Sequence, residues 1–80
     1  PKFDRLIVTV EQLNDAIATD DSLGEGFCIG HSYFCTNATV TDDWMKSVVE
    51  FELIPLLKEY WFDEAAKVKD WSRTLREVVK

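Results

Sequence analysis

Apolar residues recur in this chain mostly at steps of three and four. Phe3, Leu6, Val10, Leu13 and Ile17 keep that spacing, which puts them on one face of a helix over roughly Phe3 to Thr19. The β-branched run Leu6-Ile7-Val8-Thr9-Val10 also suits a short strand, with Thr9 then capping a shorter helix and Gln12 completing the capping box. The longer helix satisfies more of the pattern. Thr41 followed by Asp42 and Asp43 marks a second helix start, because a hydroxyl caps the first turn and carboxylates favour the positive end of the helix dipole. Apolar residues from Trp44 to Leu57, Phe51 among them, cover most of the circumference, as in a central helix. Pro55 lacks the N–H that would bond the carbonyl of Phe51, so it should kink or divide this helix. A last helix starts near Asp63, with Val68, Trp71, Leu75 and Val78 at helical spacing and charges opposite.

Between the first two helices the pattern changes. Asp20 to Gly26 supplies turn formers and two of the three glycines, and reads as a loop. Phe27 to Cys35 then reads as an extended run, with Phe27, Ile29, His31, Tyr33 and Cys35 on one face and Cys28, Ser32 and Phe34 on the other. Such a strand must pair with another segment or a neighbouring domain. The fold class is therefore mainly α: a small bundle of three to four helices with one short extended or β segment near residues 27–35.

Eighty residues make one domain, 1–80. A start at Pro1 without a methionine suggests a piece of a longer protein. Three Trp and five Phe either crowd a private core or leave an apolar patch for a neighbour. Nine Lys and Arg against fifteen Asp and Glu give a net charge of −6, which disfavours direct nucleic-acid binding. The pattern offers no basic stripe, and no apolar run approaches the roughly 18 residues of a membrane span, so no membrane role is expected.

The only histidine, both cysteines and Gly30 fall inside the extended run. Catalysis by His31 needs an orienting carboxylate and a nucleophile in reach, and the adjacent Ser32 would face the other way along a strand, so no catalytic residue is assigned. His31 is either a structural histidine, held by backbone or by Asp20 or Asp21, or a contact residue. Cys28 and Cys35 lie roughly 23 Å apart if the run is extended at about 3.3 Å per residue, too far for a disulfide. Cys28, His31 and Cys35 lack a fourth zinc ligand, so no metal site is expected. The sequon Asn37-Ala38-Thr39 has no meaning without secretion, and reduced thiols fit a cytoplasmic protein. Gly24, Gly26 and Gly30 do not form a phosphate loop.

Leu13-Asn14, Ile17, Asp20, Leu23-Gly24, Ile29-Gly30-His31-Ser32-Tyr33-Phe34, Trp44, and Pro55-Leu56-Leu57 with Glu59-Tyr60 resemble the C-terminal end of the AAA+ motor module in McrB-like proteins, the NTP-driven subunits of methylcytosine-directed restriction systems. The likeness runs from about Leu13 to Phe62. It implies a small helical lid subdomain that closes over nucleotide held by the large AAA+ subdomain of the same chain and touches neighbouring subunits of a ring. The parent would use GTP or ATP with Mg²⁺ and drive a nuclease partner, while the lid alone would bind no cofactor and be no enzyme. Gly30, His31, Ser32 and Tyr33 are the residues that would meet nucleotide or the next subunit. Many such lids carry a nucleotide-sensing arginine, but Arg5, Arg73 and Arg76 all lie outside the matching motif. The alternative is a free-standing acidic helical interaction module or small regulator.

Overall fold

The computed structural model describes residues 2–30 and 40–80. Three helical rods enclose one core. The first, α1, is Lys2–Ala18. The second is a continuous rod made of α2 (Asp42–Val48), a π-helical stretch (Val49–Leu53) and α3 (Ile54–Tyr60). The third, α4, is Ala65–Val78. The sequence expectation of a mainly helical bundle holds, and no strand occurs among the described residues.

The periodic face of α1 is the buried one: Leu6, Val10, Leu13 and Ile17 are all in the core. Thr9 does not cap a shorter helix. Its hydroxyl donates to the carbonyl of Arg5 at 2.8 Å, the local bond by which a threonine satisfies itself inside a helix. Thr41 does cap α2, accepting from the Trp44 N–H at 3.1 Å.

Pro55 leaves the second rod unbroken, and the turn before it widens instead. The Ile54 N–H bonds the carbonyl of Val49, five residues back, giving a π turn, one of the recognised causes of helix distortion. This sets Ile54 one turn below Val49, so Val49, Leu53 and Ile54 all face the core. Residue 51 lies midway round that turn, and Phe51 is 76% exposed, contrary to the expectation that it joins the buried arc. Trp61, just past α3, is the largest fully buried side chain. It packs with the core formed by Leu6, Leu13 and Ile17 of α1, Leu53 and Leu57 of the second rod and Leu75 of α4.

The extended run does not begin at Phe27. Glu25–Phe27 is a 3₁₀ turn closed by Phe27 N–H to Gly24 O and Cys28 N–H to Glu25 O. The turn follows from Gly24, whose φ of 102° and ψ of −178° lie in a region reserved for glycine. Residues 31–35 of the expected strand lie outside the described residues. The aromatic surplus divides between the two expectations: Trp61 fills the core, while Phe51 and Phe62 are exposed, and Phe27 stands edge-on to Tyr60 at 5.3 Å.

Candidate functional site at the Asn14 corner

Asparagine is a poor helix former, yet Asn14 sits in the interior of α1 beside Leu13 and Ile17. Its side-chain amide explains the position. Nδ2 donates to the carbonyl of Ile29 at 2.9 Å, and Oδ1 accepts from the Ile29 N–H at 2.6 Å. One side chain thus satisfies both backbone groups of one residue, in the manner of a strand partner. The Cys28 thiol adds a weaker bond, donating to the Asn14 carbonyl at 3.5 Å. Ile29 is itself buried in the core, and Gly30, the next residue, is exposed. The chain is therefore pinned through Ile29 and brought to the surface at Gly30. Of the four residues expected to meet nucleotide or a neighbour, Gly30 stands at this exit, and His31, Ser32 and Tyr33 lie outside the described residues.

A second knot stands at the far end of α1. Asp20 Oδ1 accepts from the Ser22 N–H at 2.9 Å and the Ser22 hydroxyl at 2.6 Å. Oδ2 accepts from the Trp61 indole N–H at 2.8 Å and from Lys67 Nζ at 2.9 Å. Lys67 also pairs with Glu64 at 3.1 Å and lies 5.5 Å from the centre of the Trp61 ring. Ser22's hydroxyl, then Lys67, the Ser22 N–H and the Trp61 indole hold the Asp20 carboxyl well below the usual carboxylate range. The same pairing holds the Lys67 ammonium above its ordinary value. Both oxygens of Asp20, one of the two carboxylates considered for His31, are thus engaged in joining the 20–24 loop to the junction of α3 and α4. Asp21, the other, is exposed.

Among the described residues no three His, Cys, Asp or Glu side chains gather as a metal would require. The Cys28 thiol is half-buried, and Cys35 lies outside the described residues. Arg76 forms a two-pronged pair with Glu50, Nε at 2.6 Å and a terminal nitrogen at 3.1 Å, which keeps the Glu50 carboxyl low. Arg73 pairs with Asp70 at 3.3 Å, and Arg5 is exposed.

Two features escaped the sequence reading. Asn14 figured only as part of a resemblance, although an asparagine at the edge of a buried helical face is itself a sign of a side chain bonded to a neighbouring backbone. The absence of a basic stripe is also corrected. Lys69, Arg73 and Arg76 step by four and three residues along one side of α4, a pattern that the net charge of −6 conceals.

No helix among the described residues is long and apolar enough to cross a membrane. The family model described as McrB, alpha-helical lid domain, matches residues 5–69. The chain is also 38% identical over 81 aligned residues to the type IV methyl-directed restriction enzyme EcoKMcrB subunit of Escherichia coli (strain K12). That alignment takes in 94% of this chain and 18% of the relative, so the chain spans under a fifth of the relative's length.

Proposed function

Because this chain belongs to the family of McrB alpha-helical lid domains, we propose that it acts as the non-catalytic lid of a nucleotide-driven AAA+ motor. The lid closes over nucleotide held by the large subdomain of the same parent chain and contacts the neighbouring subunit of a ring. The parent uses GTP or ATP with Mg²⁺, drives a nuclease and works in the cytoplasm; the lid does not itself touch DNA.

The observation that supports this reading is the Asn14 clamp. A lid transmits a change at one edge only if that edge moves with the rest of the body, and hinge-type closure keeps the moving body rigid. Asn14 joins Ile29 to the middle of α1, and Ile29 is buried in the same core as Leu13 and Ile17. A push on Gly30 therefore reaches α1 through two hydrogen bonds and a packed side chain. In this reading Gly30, His31, Ser32 and Tyr33 form the contact edge. In this reading the nucleotide and its Mg²⁺ are held by the large subdomain, since the sequence itself carries no phosphate loop. This chain's part is to cover, orient and exclude water, with no group transferred.

His31→Ala in the intact parent protein tests the assignment. A lowered nucleotide turnover or weakened ring assembly, with an unchanged melting temperature, is the expected result. Turnover and assembly equal to wild type would reduce His31 to a structural residue and remove the contact role from this edge.

A further inference from the structure

The cationic stripe of α4 does not lie on an open convex face. Each of its members, Lys69, Arg73 and Arg76, follows a core-facing position, Val68, Ser72 and Leu75, so the stripe runs along the border of the buried seam. Across from it, α3 presents Lys58. Between them is an open groove of about 590 Å³ with Ile54, Trp61 and Val68 among its walls. Phe62, 83% exposed, also lines it. Four cations (Lys58, Lys69, Arg73 and Arg76) and no carboxylate line this groove, in a chain whose acids outnumber its bases by fifteen to nine. Arg73 and Arg76 are partly neutralised by Asp70 and Glu50. Lys58 and Lys69 make no ion pair among the described residues.

We propose that the groove between α3 and α4 docks an acidic amphipathic peptide segment of a partner protein, its apolar side chains on Phe62 and Val68 and its carboxylates against Lys58 and Lys69. Charge complementarity selects the sign of the partner. The apolar floor selects its kind: a helix of alternating apolar and acidic faces fills such a groove with anchors at three- and four-residue spacing. A nucleic acid offers phosphate and sugar to that floor, and its extended negative charge meets the acidic remainder of the chain within the screening distance of about 8 Å. A short peptide occupies the groove alone. Residues 31–39 of this chain carry no carboxylate and do not match the groove in charge. This surface is distinct from the Gly30 corner, and the proposal stands whether or not that corner meets nucleotide.

The test is a titration of the full 80-residue chain against a fluorescent peptide of about 18 residues, roughly five helical turns, with leucine on one face and glutamate on the other. Saturable binding is expected, with backbone amide shifts clustered between residues 58 and 73. A double reversal, Lys58→Glu with Lys69→Glu, should weaken binding about tenfold, because each exposed pair contributes a fraction of a kcal/mol and reversal adds repulsion. Phe62→Ala should weaken it severalfold, since it removes an apolar anchor. Arg5→Glu makes the same kind of charge change away from the groove and should shift affinity less than about twofold, as expected for a remote screened charge. All these residues are exposed, so the variants keep the fold. Absence of saturable binding, shifts mapping elsewhere, an equal loss with Arg5→Glu, or tighter binding of a labelled DNA duplex than of the peptide would each overturn the proposal.

Discussion

Two side chains, Asn14 and Asp20, hold most of what is special about this domain. Asn14→Ala removes both bonds to Ile29 and leaves the backbone groups of a buried residue without their partner. Orphaned buried groups cost about 1–3 kcal/mol each, so with two of them chemical denaturation should show a loss of roughly 2–6 kcal/mol. Asp20 gives a pH dependence of defined sign. Its carboxyl is held low in the folded state, so below about pH 4, where a free aspartate takes up a proton, the unfolded chain binds more protons than the folded one. Stability is therefore complete above that pH and falls as the pH drops further, and Glu50, lowered by Arg76, adds to the same slope. Denaturation midpoints measured through this acid range should fall for the wild type and fall less steeply for Asp20→Asn. Neither role was legible beforehand, because the partners are remote in sequence: Asn14 and Ile29 are fifteen residues apart, and Asp20 and Trp61 forty-one. Asp20 and Trp61 each looked ordinary in its own neighbourhood.

Elements were far easier to read where their cause is local. The face of α1 emerged from the spacing of Leu6, Val10, Leu13 and Ile17, and the start of α2 from Thr41 with its two aspartates. Thr41→Ala should cost about 0.5–2 kcal/mol through loss of the cap, readable as a lowered melting temperature. The 3₁₀ turn was missed because the aromatic, β-branched-like composition after Phe27 suggests a strand, whereas the backbone there is dictated by Gly24 from one side and by Asn14 from α1. Gly24→Ala should destabilise by about 1–3 kcal/mol from torsional strain alone, because a Cβ at that position meets nothing within 4 Å. The π turn was half-legible. Pro55 announced a disturbance in the helix, but its form depends on Leu53 and Ile54 both being drawn into the core beside Val49. Phe51 needs no π turn to face outward: at about 3.6 residues per turn it already lies nearly opposite Val49 and Leu53, and only the count of apolar residues around the whole circumference drew it into the buried arc.

As a whole molecule, the chain combines one core with two surfaces: the exit at Gly30 and the cationic groove beside α4. The single core running through all three rods suits a body that moves as a unit, and it is why cavity-forming changes should be felt throughout. Leu13→Ala or Leu57→Ala, at fully buried sites, should each cost about 2–5 kcal/mol in a denaturant titration. At this scale composition misled in one respect, since an overall net charge averages away the segregation of cations onto α4. A lid that moves rigidly and presents the Gly30 edge to nucleotide or a neighbouring subunit should leave a defined mark on backbone exchange. Amide hydrogen exchange on the intact parent protein, with and without bound nucleotide, tests it most directly. Nucleotide should slow exchange over residues 30–33 while the buried amides of α1 and α4 exchange at unchanged rates. Unchanged exchange over residues 30–33, or altered exchange spread through the core helices, would contradict it.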